Sequence, residues 1–339
     1  MKKGFLLAVI GMLFFASCEK DSPKMLILGK WYCDTQSSYD YRQYTNKYKR
    51  FCQEHNTDSV LFDETMRLNP TDLYYGYWNF ITNSYAYYYY LYNNGTVHMT
   101  GGTVTVNKGT YKTTGKGSPT IYSTADITVK NATLTATASE GVVIEGKNSV
   151  TLENVDLTDT NNTLNGQSTT YKNIFLYQSM SGDAANGEAT FTAKNSKITT
   201  NKGDSFYITN TTATINLENN EITNTDSTGY FLRSQKDSWG NSGSNGGIVT
   251  LNLTNQKVNG NIYIDSISTL TMNMVSSNYE GGINTDNTAK SITIKLDSSS
   301  TIKLTGDSYI TSLEDSDSTY SNIDLNGYKL YVNGKELTK

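Results

Sequence analysis

Proline is nearly missing from this chain, at 3 in 339 residues, so it is not a Pro-rich linker protein. Histidine is scarcer still: only His55 and His98 occur, and none follows residue 98. Arginine occurs once beyond that point, as Arg233. The three cysteines, Cys18, Cys33 and Cys52, form no C-x-x-C pair. With so few imidazoles near them, a metal or thiol–redox centre is not expected. Charged residues make up 18% and hydrophobic residues 36%, so solubility rests on Thr, Ser and Asn. A net charge of −4 argues against a nucleic-acid footprint. One apolar run stands out, Phe5 to Phe15, and it is too short to cross a bilayer comfortably as a mature helix.

What is present is a repeat. A hydrophobic residue, a spacer, a second hydrophobic, a spacer, Asn, two spacers and a third hydrophobic recur five times. The Asn residues are Asn131, Asn154, Asn195, Asn219 and Asn255. The first two copies begin 23 residues apart, at Ile127 and Val150, and the next two 24 apart, at Phe191 and Ile215. Repetition at a roughly fixed period of this size marks a solenoid. Alternation before each Asn predicts a strand, and Asn predicts a corner, because it tolerates left-handed torsions. Stacked copies predict an Asn ladder that satisfies its own amides. A second strand precedes most copies, as in Val142-Val143-Ile144-Glu145, Ile174-Phe175-Leu176-Tyr177, Phe206-Tyr207-Ile208-Thr209, Tyr230-Phe231-Leu232-Arg233 and Ile262-Tyr263-Ile264-Asp265.

Three short strands per coil at this period resemble the right-handed parallel β-helix, the pectate-lyase-like architecture. The resemblance covers residues 99–339. A Leu-rich repeat is set aside, because here two residues rather than one separate the Asn from the next hydrophobic, and no helical segment follows. The expected fold class is all-β: a right-handed parallel β-helix solenoid with a small N-terminal α+β cap or lipocalin-like fragment.

The N-terminal end reads as an address. Lys2 and Lys3 before the apolar run suggest a secretory signal. Phe14-Phe15-Ala16-Ser17-Cys18 resembles a bacterial lipobox, with Phe15 where Leu is usual. The resemblance implies signal peptide 1–17, lipidation at Cys18 and a tether over 18–24. Glu19-Lys20-Asp21 resembles the export tag of surface lipoproteins, which implies a lipid-anchored protein of the bacterial outer membrane, facing outward. The membrane contact expected is through that anchor only. Residues 25–98 form a separate unit holding 14 of the 26 tyrosines. Ile27–Tyr32 and Leu91–His98 resemble strands of lipocalin-like lipoprotein domains. Tyr41, Tyr44, Tyr48 and Phe51 predict an amphipathic helix, and Tyr85–Tyr92 a strand. The unit would cap the first rung of the solenoid. An oxidising compartment permits a Cys33–Cys52 disulfide, which the spacing neither requires nor forbids.

Chemistry on this fold would come from a basic residue beside a calcium-holding acidic cluster, or from Asp residues clustered on adjacent rungs. Neither pattern is visible, since Asp156, Asp159, Asp204 and Asp226 stand singly. No catalytic residue, metal ligand or cofactor is expected. Binding is the stronger expectation. If Ile144, Leu176, Ile208, Leu232 and Ile264 point inward, Val143, Phe175, Tyr207, Phe231 and Tyr263 point outward. That predicts an aromatic stripe suited to sugar rings. Two Gly-rich insertions, 178–188 and 234–247, leave the same strand edge and place Asp183, Arg233 and Trp239 beside it. The expected function is non-catalytic, adhesin-like binding of a glycan or another surface ligand. A β-helix polysaccharide lyase or hydrolase and a passive surface stalk are the alternatives. If the insertions fold over the stripe, they bury it as a satellite core.

Overall fold

The computed structural model describes residues 97–339 apart from 165–167 and 183, together with the strands Lys30–Tyr32, Ser59–Leu61, Tyr77–Thr82 and Tyr85–Tyr90. Cys18, Cys33, Cys52, Asp183 and the expected helix around Tyr41–Phe51 lie outside the described residues. In the N-terminal third, Lys30–Tyr32 pairs antiparallel with Ser59–Leu61, and Tyr77–Thr82 with Tyr85–Tyr90.

From residue 97 onward the chain is a parallel β-helix, all strand and turn among the described residues. Each coil contributes to three faces. Face A stacks Val142–Glu145, Lys172–Tyr177, Asp204–Thr209, Leu232–Ser234 and Ile262–Ile264. Face B stacks Ser149–Glu153, Glu188–Lys194, Thr211–Glu218, Gly247–Thr254, Thr269–Val275 and Ser291–Leu296, and ends at Ser312–Asp315. Face C stacks Asp156–Asp159, Lys197–Thr200 and Glu221–Asn224, then Lys257–Asn259, Asn278–Gly281, Thr301–Leu304 and Ile323–Asp324. The first two coils, Val97–Thr113 and Ile121–Ala136, run through their corners as long strands and so join the faces.

The repeat builds faces B and C. Its hydrophobics point inward, and the same position on successive rungs stacks into one column: Ile127, Val150, Phe191, Ile215, Leu251, Met272 and Ile294. Every member is buried. Outward positions of face B are mostly Thr, Asn, Lys and Glu, with Ile248 and Val275 the large exposed hydrophobics among them, and Lys130–Glu153 and Lys194–Glu218 are bonded rung to rung at 2.6 and 2.7 Å. A parallel sheet with one solvated face keeps its alternation for this reason.

The Asn corner takes the predicted shape. The five Asn residues have φ between 48° and 55°, and Ser276 takes the place on the next rung at 49°. The expected Asn ladder forms, but on the surface rather than around a buried polar group. The Asn side chains are exposed, and their amide bonds link Asn131 to Asn107 at 2.8 Å, Asn154 to Asn131 at 3.1 Å and Asn219 to Asn195 at 2.7 Å. The buried ladder lies one residue later. There each side-chain oxygen accepts the backbone N–H of the rung before: Ser196 from Val155, Asn220 from Ser196, Gln256 from Asn220, Ser277 from Gln256 and Ser300 from Ser277, all at 2.9–3.0 Å. A tight corner leaves that N–H aimed along the axis and out of reach of water, so a polar side chain from the next rung must take it.

Candidate functional site

The outward column of face A reads Tyr122, Val143, Phe175, Tyr207, Arg233, Tyr263. Phe231 is not part of it. The sequence places Leu232 level with Ile208 and Ile264, but Leu232 pairs with Phe206 and Ile262, while Ser234 takes the expected level. Phe231 therefore precedes the strand at a corner. Its ring turns into the main core, edge-on to Phe206 at 5.4 Å, and is 1% exposed. Gly260 lets it sit there: a Cβ on that glycine would lie 3.1 Å from the Phe231 Cβ.

The column then divides. Its first half is covered. Phe175 is 3% and Tyr207 0% exposed, packed with Val143 and Tyr177 beneath Tyr122 and Trp239. These two residues and Phe231 thus offer no open ring, contrary to the expected stripe. The cover is the insertion at 235–246. Trp239 lays its ring 5.3 Å from Phe175 and 5.1 Å from Tyr177. The Asp237 carboxylate accepts from the Tyr207 hydroxyl and, at 2.9 Å, from Thr169.

Charged groups are also buried in these coils. Lys172 is fully buried, its ammonium 4.3 Å from the Phe175 ring centroid and 3.5 Å from a Glu140 oxygen. It also donates to the Ser168 hydroxyl and the Thr170 carbonyl at 2.8 and 3.0 Å. Burial pushes its pKa down, and Glu140 pulls it the other way. Glu145 accepts from Tyr122 and Tyr177, whose hydroxyls lie 2.6 Å apart. Burial is the main reason the Tyr122 hydroxyl is held far above its ordinary range. Asp159 is fully buried, with one carboxylate oxygen receiving the Asn161 N–H and the other unpartnered. Burial holds its pKa well above the ordinary carboxylate value, and Glu140 adds to the rise.

Asp159 gives a pH prediction. Its folded form keeps the proton more tightly than the unfolded chain does. It therefore stabilises below the unfolded value of about 4, and this contribution is lost as pH rises through the raised folded value. Urea unfolding of native protein and Asp159→Asn across pH 4–8 should show the native losing stability relative to the variant. Parallel pH curves would contradict the raised pKa.

The second half of the column is open. Tyr263 and Tyr230 are half-buried, their rings edge-on at 5.7 Å. Arg233 lies over both, at 4.2 Å from the Tyr230 centroid and 5.2 Å from that of Tyr263. Asp204 holds the guanidinium in place at 2.6 Å. The bridge Ile262↔Ile283 and the bond from the Tyr309 N–H to the Ile283 carbonyl carry face A onward. Tyr309 then pairs with Tyr331, and their half-buried rings stack at 4.9 Å and 4°. Tyr230, Tyr309 and Tyr331 were not expected as site residues. The run Ser308-Tyr309-Ile310 does repeat the pattern of Ile262-Tyr263-Ile264, and that was the available signal.

Among the described residues no group of three or more His, Cys, Asp or Glu is placed to hold a metal ion. No protein-family model matches this chain, and no curated protein or solved structure matches it either.

Proposed function

We propose that this chain is a lipid-anchored surface protein that binds a linear glycan, without catalysis, along the open half of face A. The single observation that carries the proposal is the row Tyr230, Arg233, Tyr263, Tyr309 and Tyr331, half-exposed on one face of a rigid solenoid. Tyr presents an apolar ring with a polar tip, which suits a sugar's C–H face and its hydroxyls together. Rungs repeat at about 4.8 Å, so Tyr263 and Tyr309 stand about 10 Å apart, a span that fits successive rings of an oligosaccharide. The ion pair with Asp204 fixes Arg233 as a donor without leaving it free for anions. The lipobox around Cys18 and the acidic tag after it support an outer-membrane address with the solenoid facing outward. Right-handed winding accords with the strong preference of parallel crossovers.

A glycan array probed with native protein and with Tyr263→Ala/Tyr309→Ala tests this. Native signal on linear glycans should fall at least about tenfold in the variant, since two buried ring contacts are lost. Equal signal from both proteins, or no native signal on any glycan, sinks the open-face reading. The covered half of the column favours a passive stalk as the second reading, and that outcome would leave the stalk standing.

A further inference from the structure

The covered half of face A has the make-up of a ligand cleft whose occupant is the protein's own loop. We propose that residues 236–244 are a displaceable lid, and that Phe175, Tyr177 and Tyr207 beneath Trp239 form a second sugar subsite continuous with Arg233 and Tyr263. This rests on face A being a glycan-binding surface.

The composition of the lid is the first argument. Its residues are Gly, Ser, Asn, Lys and Asp, with Trp239 the one apolar side chain among them. A single ring therefore supplies the lid's apolar contact, tilted against Phe175 and edge-on to Tyr177. Its remaining hold on the floor is polar. Asp237 takes the Tyr207 and Thr169 hydroxyls, and the Lys236 N–H bonds the Asp265 carboxylate at 2.8 Å. Sugar hydroxyls can replace such bonds one for one.

The lid is also tied at one end. The Asn245 amide binds the Asp237 and Trp239 carbonyls at 2.7 and 2.9 Å, so the lid is fastened at this end and opening has to break these two bonds or swing about them. Asn245 is meanwhile the fixed end, its carbonyl accepting the Asn210 N–H and the Thr209 hydroxyl. Gly240 and Gly243, at φ of 80° and 87°, lie between the two ends.

The floor is the third argument. Phe175 and Tyr177 stack at 4.4 Å and 13°, with Tyr207 tilted against Phe175 at 5.7 Å. Around these rings stand the Glu145 carboxylate with Tyr122, and Gln235 bonded to the Tyr207 hydroxyl at 3.0 Å. An apolar floor with a few placed polar groups at its rim is the usual make-up of a small-ligand site. A closed lid lowers apparent affinity by the fraction of molecules that are open.

The test sets Trp239→Ala beside native protein and Tyr263→Ala on one glycan array, with thermal unfolding as the folding control. Removing the ring should raise the open fraction, and signal should increase about tenfold on longer linear glycans. Signal at or below native on every glycan overturns the lid. Full native signal from Tyr263→Ala overturns the open-face reading, whatever Trp239→Ala does. Hydrogen exchange of the native protein decides the matter if Trp239→Ala does not fold. Amides of 236–244 should then exchange at least about tenfold faster than those of 206–208. Equal protection of the two segments overturns the proposal.

Discussion

Gln256→Ala is expected to destabilise the solenoid by about 3–5 kcal/mol, although the residue touches no candidate binding group. Gln256 is 1% exposed and makes four bonds. Its carbonyl oxygen accepts the Asn220 N–H and the Asn220 amide at 2.9 and 3.0 Å. Its own amide donates to the Asn220 and Lys257 carbonyls, both at 2.8 Å. Alanine leaves the Asn220 peptide N–H buried with no acceptor and removes a donor from the carbonyl. Each orphaned buried group costs about 1–3 kcal/mol. The neighbouring Asn255 is the control. Its exposed side chain serves mainly a backbone at φ 48°, which glycine adopts freely, so Asn255→Gly should cost less than about 1 kcal/mol. Thermal unfolding of the pair separates them, since each kcal/mol shifts Tm by about 2–4 °C at this size. If Asn255→Gly is the more damaging change, the buried ladder is misassigned and the Asn ladder holds the corner.

Lys172→Met should cost a similar amount, about 3–5 kcal/mol, for a different reason. Lys172 has 0% and Glu140 7% of its side chain exposed, so solvent does little to screen their contact. Methionine fills the space against Phe175 but leaves the Glu140 carboxylate buried, with the Ser139 hydroxyl, at 2.8 Å, to meet it among the described residues. It also releases Ser168 and Thr170, which close this end of the cover. Adding Glu140→Gln to Lys172→Met should recover most of the loss, because the uncompensated charge is its main source. Urea denaturation of the native, single and double variants measures this. A single variant within about 1 kcal/mol of native contradicts a buried, paired ammonium.

The Asn corner was legible in the sequence because its cause is local. A left-handed torsion favours Asn or Gly, so the same letter returns on five rungs before Ser276 takes the place. The buried ladder beside it repeats a function without repeating a letter. Ser196, Asn220, Gln256, Ser277 and Ser300 share only an oxygen at the right reach. Face A failed at one strand for a related reason. Sliding Leu232 by two residues keeps the in–out alternation intact, so period alone cannot choose between the pairings. In the structure Phe231 sits at the corner against Gly260, where an added Cβ would come 3.1 Å from its own. The cover over Phe175 and Tyr207 depends on the path of 235–246 in three dimensions, and Gly and Ser carry no record of a path. Lys172 was silent as well, since a lysine in a strand reads as solvated until a carboxylate from another coil is brought to it.

An open glycan-binding surface requires that particular face A rings meet solvent. Hydroxyl-radical footprinting read by mass spectrometry measures that directly. Tyr263, Tyr309 and Tyr331 should label readily, whereas Phe175, Tyr207 and Phe231 should stay protected while the protein is folded. Labelling of Phe231 together with protection of Tyr263 would contradict the register, and with it the open surface proposed to bind glycan.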